Sequence, residues 1–178
     1  MRNLMTYAEE CMEELDNLGI EYRPARFKVL NKNVRRFGRC KKINDDMFNE
    51  YEIEIRSVLL DEKNSIKGLK DTIIHELLHT VEGCMNHGEK WKKLASLVNK
   101  KYGYNVSRCN SYEEKGICQE DIDSIFAERN AKFALKPTYI IRCEKCGCEY
   151  ARHKLSRLVT EPELYRCGKC NGNLVRFA

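Results

Sequence analysis

An α+β fold in two parts is predicted by three features of this 178-residue chain. Apolar periodicity runs in the order helix, small three-stranded sheet, helix, return helix, which is an α+β layout. His75-Glu76-Leu77-Leu78-His79 places two imidazoles one helical turn apart. Two Cys-x2-Cys pairs, Cys143/Cys146 and Cys167/Cys170, lie near the end of the chain with twenty residues between them.

Taken in order, Thr6 to Leu18 predicts an amphipathic helix, with Thr6 as its cap, Glu9 three residues on and Gly19 past its end. Ala25 to Asn31 and Val34 to Ile43 predict strands joined as a hairpin at Lys32-Asn33. Tyr51 to Leu59 predicts a third strand with Ile53, Ile55 and Ser57 on one face. Lys67 to Glu82 predicts the motif helix, its apolar stripe made by Leu69, Ile73, Ile74, Leu77, Leu78 and Val81. Gly83 is placed to end it in the left-handed conformation. A return helix follows, with Asn86 as its cap, Glu89 as capping-box partner and Trp91, the only tryptophan, as a core anchor. Tyr102 to Gly116 reads as irregular, and Gln119 to Lys132 as a further helix. Pro137 marks a break between a domain over 1–137 and a ribbon over 138–178.

The spacing of the first motif carries chemistry. Imidazoles four residues apart project from one face of a helix and can ligate one Zn2+. Glu76 is offset by one residue, so it can serve a water in an open coordination position without being a ligand. A catalytic zinc keeps three protein ligands, and His87, eight residues past His79, is the favoured third because imidazole suits an open site. Glu82, Glu89 and Cys84 are rivals. Asp71 shares the histidine face; it reads either as an orienting partner of His75 or, more simply, as a solvated acid near a helix start.

Composition bounds the class. With 42% hydrophobic and 33% charged residues, the chain is of ordinary globular type. No run is long enough to span a membrane, and Met1 to Thr6 lacks the apolar run of a signal peptide. Ten cysteines without an export signal point to reduced thiols and metal ligands, hence to a cytoplasmic protein, nucleoid-associated in a bacterium or nuclear in a eukaryote. Between Arg23 and Lys42 stand nine Lys/Arg and no acid, a run that reads either as phosphate-contacting or as the charged face of a hairpin.

The paired cysteines have zinc-ribbon spacing, with Cys148 as a spare thiol that could exchange with Cys146. Strands are expected at Glu149 to Arg152 and Leu164 to Arg166. So short a segment buries little apolar surface, so the metal supplies its folding energy. It carries eight Lys/Arg against four Asp/Glu. Arg142, Arg152, His153, Lys154, Arg157 and Arg166 alternate with Tyr139, Tyr150 and Tyr165, a composition suited either to nucleic acid or to a structural brace.

Arg36-Phe37-Gly38-Arg39-Cys40, then the His75–His79 motif, His87-Gly88-Glu89-Lys90-Trp91 and the four-cysteine ribbon form an ordered set that resembles the SprT-like metalloprotease family, which includes the Spartan proteases. The resemblance implies a minimal gluzincin-like zincin core. It implies a catalytic zinc on His75, His79 and His87, with Glu76 as the base, and a second, structural zinc on the ribbon cysteines. Through the Spartan proteases, which look DNA-dependent, it also implies zinc-dependent peptide hydrolysis on proteins bound or crosslinked to DNA. Two rival readings are a non-catalytic nucleic-acid-binding zinc protein with a recruitment or regulatory role, and a zinc hydrolase of a non-peptide substrate. Tyr102, Tyr104 and Arg108 are candidates for stabilising an oxyanion.

Overall fold

The structure, a computed structural model, describes residues 1–31, 36–43, 50–134 and 139–177, with backbone alone at 132–134. It divides into two compact units, Met1–Ile125 and Phe126–Ala178, each taken by itself below. Pro137 and the Lys32-Asn33 link lie outside the described residues.

The first unit opens with α1 (Leu4–Asp16). Leu4, Ala8, Cys11 and Leu15 recur at helical spacing and are buried. Asn3, not Thr6, is the cap: its Oδ1 accepts the Met5 N–H at 2.9 Å. The helix starts before Thr6 because Leu4 already belongs to the buried stripe.

β1 (Ala25–Leu30), β2 (Gly38–Lys42) and β3 (Tyr51–Arg56) form a sheet in the order β1-β3-β2. The expected β1–β2 hairpin does not form. β3 lies between the two, parallel to β1 and antiparallel to β2. Electrostatics favour this arrangement, since side-by-side basic strands would oppose like charges. Glu52 instead receives Arg26 at 2.9 Å and Lys41 at 2.6 Å, and it also pairs with Lys28. Hydrogen bonds from Lys28 and Lys41 hold its carboxyl down at about 2. Three cations of β1 and β2 thus converge on Glu52, and Lys41 also meets Glu54, so Arg26, Lys28 and Lys41 are each tied to an acid of β3 rather than standing on the face of a hairpin.

The opposite face of β3 carries Ile53 and Ile55, both fully buried. The chain leaves the strand at Ser57 and continues as a 3-10 turn, Ser57–Leu60, rather than as strand to Leu59. The turn places the adjacent Leu59 and Leu60 both fully in the core.

α2 (Ile66–Leu78) starts from a Ser65 cap and is buried over most of its circumference. It packs against α1, β2, β3 and α3. Gly68 has a specific reason to be glycine: a Cβ there would stand 1.9 Å from the carbonyl oxygen of Lys115. The bare backbone lets the 103–118 loop lie directly on the helix. α3 (Glu89–Tyr102) buries Trp91, Ala95 and Val98, and Gly103 ends it at φ +71°. Gly88, not Asn86, takes the N-cap position; the Asn86 side chain accepts the Gly88 N–H at 3.0 Å and turns the chain into the helix. α4 (Gln119–Ala134) follows, with Ile122 and Ile125 buried.

In the second unit β4 (Tyr139–Cys143) is the centre of a sheet ordered β5-β4-β6, antiparallel on both sides to β5 (Glu149–Arg152) and β6 (Leu174–Arg176). α5 (Arg157–Thr160) and a 3-10 turn, Pro162–Leu164, connect β5 to the last knuckle. The strand expected at Leu164 to Arg166 is reduced to an isolated bridge between Arg166 and Asn173. No helix among the described residues is long and apolar enough to cross a membrane.

Candidate metal centre

The motif helix ends sooner than its pattern suggests. α2 stops at Leu78, and His79 is its C-cap. The chain then turns through Thr80 to Gly83, which takes φ +78°, and brings Cys84 beneath His79. Nδ1–H of His79 donates to the Cys84 carbonyl at 2.8 Å, and Nδ1–H of His75 donates to the Ser107 carbonyl at 3.0 Å. These bonds assign the tautomer: in both neutral rings Nε2 carries the lone pair.

The Nε2 atoms of His75 and His79 are 3.3 Å apart, and those of His75 and His87 are 3.0 Å apart. With the protons of His75 and His79 on Nδ1, no proton is available to bridge their Nε2 atoms. Two lone pairs facing each other at that separation call for a cation between them. Burial also holds the protonation of His75, His79 and His87 below the ordinary range, in His75 down to about 3, so the rings stay neutral and ligating. Nitrogens about 2.0–2.1 Å from a shared tetrahedral centre would be separated by about 3.3–3.4 Å. The three histidines therefore fit a zinc ion, and their ligand atoms form one group. Trp91 supports all three rings, with centroids 4.9 Å from His75, 4.6 Å from His87 and 5.7 Å from His79, the last nearly stacked at 23°. The expected core anchor is thus also the wall of the centre.

The rival third ligands stand apart from this group. Glu82 and Glu89 are exposed, and Cys84 contributes its carbonyl to His79. Tyr102 and Tyr104 donate their hydroxyls to the Glu14 carbonyl and carboxylate at 3.0 and 2.9 Å, so neither is turned to the centre. Arg108 does line the cavity beside it.

Glu76 is held in a slot made by β2. It is 6% exposed. A Cβ on Gly38 would lie 2.6 Å from Glu76 Oε1 and 2.8 Å from its Cγ. The absent side chain is what admits the glutamate. Burial pushes its carboxyl up to about 8, against the pull of the Cys40 N–H and the charges of Lys115 and Arg36.

Asp71 is not a solvated acid. It is fully buried, and its Oδ1 accepts the Asn105 N–H at 3.0 Å. It does not bond to His75. Its effect there is indirect: it fixes the loop whose Ser107 carbonyl orients that ring. Lys115, Gly38, Cys40 and the Ser107 and Cys84 carbonyls were not identifiable as site residues from composition or spacing. Gly38 and Cys40 alone had a signal, their place in the Arg36–Cys40 segment.

In the second unit, Cys143, Cys146, Cys167 and Cys170 form one group of potential ligands. Sγ–Sγ separations are 3.5 Å for Cys143–Cys170 and 3.6 Å for Cys146–Cys167. Thiolates about 2.3 Å from a tetrahedral zinc would be about 3.8 Å apart, so this set also fits. Each Cys-x2-Cys turn closes with a left-handed residue, Gly147 at φ +68° and Asn171 at φ +56°. The next N–H bonds make the two knuckles alike: Gly147 N–H to the Cys143 carbonyl at 2.9 Å, and Asn171 N–H to the Cys167 carbonyl at 2.8 Å. Cys148 is outside the group and gives its carbonyl to Cys143 N–H. Tyr150, expected on a stacking surface, places its hydroxyl 3.1 Å from Cys167 Sγ, which draws that thiol down to about 6. Arg142 pairs with Glu149 and lies 3.7 Å over the Phe177 ring, and Arg176 stacks on Tyr139. Lys154 and Tyr165 are exposed.

A sequence profile of the SprT-like family matches residues 8–110, more than half of the chain. The chain belongs to the SprT-like family. Its match runs from within α1 through the sheet, the histidine motif and His87 to the Ser107 loop, and so includes the elements that carry the first centre. The SprT-like assignment and the two ligand groups together make this a protein of zinc-metalloprotease type. No curated protein matches the chain in a sequence comparison.

Proposed function

We propose that the chain is a zinc-dependent metallopeptidase, with its SprT-like domain over 1–137 carrying the reaction and its ribbon over 138–178 engaging DNA, so that DNA-bound or DNA-crosslinked proteins are its substrates. The observation that carries the reading is the convergence of His75, His79 and His87 on one point, beside a glutamate that ligates nothing. A structural zinc has no use for such a carboxylate, whereas hydrolysis does.

In this reading His75, His79 and His87 hold the catalytic metal, and the four ribbon cysteines hold a structural one. Zinc at the first centre supplies a Lewis acid that polarises the scissile carbonyl and brings a water's pKa to about 7. Glu76 takes the proton from the attacking water and returns it to the leaving amine. A carboxyl whose burial favours the protonated form is suited to both halves of that transfer. The Cys40 N–H and the missing Cβ of Gly38 keep it in place while it changes charge.

The DNA part of the reading rests on the family resemblance and on the exposed basic and aromatic groups of the ribbon, Lys154 and Tyr165 among them. One experiment tests both parts. The full chain is incubated with a DNA-bound basic protein, with and without single-stranded DNA, beside Glu76→Gln and a chelator. Cleavage that needs zinc, Glu76 and DNA supports the proposal. A salt-sensitive DNA affinity without cleavage would favour the non-catalytic binder instead.

A further inference from the structure

A cavity of about 250 Å3 opens beside the first centre. Gly38 of β2, Thr72, His75 and Glu76 of α2, and Ser107 to Asn110 with Lys115 line it; neither His79 nor His87 does. It therefore lies on the Glu76 side of the metal position, where a substrate residue next to the scissile bond would place its side chain.

Its polar lining is dominated by positive charge. Arg36 and Arg108 are exposed, while Lys115 is 4% exposed. Among the described residues the Lys115 ammonium makes no hydrogen bond or ion pair, although Asp71 and Glu76 lie near enough to act on it electrostatically. Among the described residues the only acid in the lining is Glu76, already held by the Cys40 N–H. Of the neutral donors, Thr72 Oγ1 is given to the Gly68 carbonyl at 2.8 Å, Ser107 Oγ to the Cys109 carbonyl at 2.8 Å, and the Asn110 amide makes one bond to the Asn105 carbonyl at 3.4 Å. Lys115 is mostly withdrawn from water, its ammonium has no partner among the described residues, and an incoming carboxylate would offset that cost.

We infer that this cavity is a specificity subsite that receives the carboxylate of an Asp or Glu side chain adjacent to the scissile bond, on Lys115 with Arg36 and Arg108 at its sides. This rests on the peptidase reading of the same centre. A side chain suits the site better than a nucleic-acid phosphate. The phosphate is a diester that carries a sugar on each side, whereas a carboxylate at the tip of a side chain enters a cavity of about 250 Å3 by itself.

The test uses the zinc-loaded full chain and a set of Ala/Gly-rich peptides carrying Glu, Gln or Lys at one position at a time. Cleavage products are located by mass spectrometry. Binding of the same peptides, fluorescently labelled, to Glu76→Gln is read by anisotropy. Bonds flanked by Glu should exceed the Gln counterparts about tenfold in kcat/KM, mainly through KM, with Lys disfavoured. Lys115→Met should bring the Glu/Gln ratio below about twofold, and Arg108→Gln should lower it in part. Thermal melts check that Lys115→Met folds; if it does not, exposed Arg108 carries the test.

Equal cleavage of Glu and Gln peptides at every position overturns the subsite and leaves the peptidase. A Glu preference that survives unchanged in Lys115→Met also overturns it, as does an oligonucleotide that displaces the Glu peptide with the same Lys115 dependence. No cleavage, combined with tight Lys115-dependent binding of the Glu peptide, sustains the subsite and removes the peptidase. Neither cleavage nor preference removes both.

Discussion

Gly38→Ala isolates the positioning of Glu76 from its chemistry. The glycine does not occupy a left-handed conformation, so alanine carries no backbone penalty there and the effect is steric. The new Cβ would meet Glu76 Oε1 at 2.6 Å, Cγ at 2.8 Å and Cδ at 3.0 Å. Ordinary contact begins at 3.4 Å, so the carboxylate must retreat by roughly 0.8 Å or swing aside. The glutamate is 6% exposed and its free side is the cavity, so a displaced carboxyl moves away from β2 and the Cys40 N–H. Overpacking of this kind costs about 1–3 kcal/mol of stability. A displacement near 1 Å of a proton-transferring group lowers the rate by about a hundredfold. Zinc content should stay at the parent level, because the three atoms nearest the new methyl all belong to Glu76 and none to a ligand histidine. The assay is cleavage of a protein substrate at saturating DNA, with zinc measured on the same sample and a thermal melt to confirm folding. A folded Gly38→Ala protein that cleaves at the parent rate would refute the argument that this glycine exists to seat Glu76.

Two further outcomes follow from the same geometry. In the metal-free protein Glu76 has a folded pKa of about 8, above its unfolded value of 4.5, so folding binds a proton. Its contribution is therefore neutral below pH 4.5 and grows increasingly unfavourable up to pH 8. Glu76→Gln should stabilise the metal-free chain by about 3 kcal/mol at pH 7 and by almost nothing at pH 4, read by denaturant unfolding at the two pH values; equal effects at both would contradict the burial of the carboxyl. In the ribbon, a Cβ on Gly172 would fall 2.9 Å from Cys143 Sγ and 3.3 Å from Cys170 Sγ, so Gly172→Ala should weaken retention of one zinc by about 10–100-fold against a chelator while leaving the other in place.

The sequence made the ligand residues legible because metal sites use few residue types at fixed spacing. The four cysteines and three histidines are each brought together by short local segments, a helical turn or a knuckle. The groups that orient them were not legible. The Ser107 and Cys84 carbonyls are backbone atoms, which any residue supplies, and Lys115 reaches the cavity only because Gly68 lets its loop lie on α2. The sheet order was misread for a related reason. Alternation identifies strands but not their partners, and the pairing here is decided by the acids of β3 meeting the cations of β1 and β2. Asp71 looked like a solvated acid because its partner, the Asn105 N–H, lies 34 residues away.

The central claim is that three imidazole nitrogens share one metal ion with Glu76 beside the remaining position. Anomalous diffraction at the zinc edge from crystals of the zinc-loaded chain tests it most directly. The account predicts a peak about 2.0–2.1 Å from Nε2 of His75, His79 and His87, distinct from a second peak among the four ribbon sulfurs, with the Glu76 carboxyl facing the open side of the first. A first peak that is missing, that is ligated by Glu82, Glu89 or Cys84 in place of His87, or that is closed off by Glu76 as a fourth ligand would contradict it.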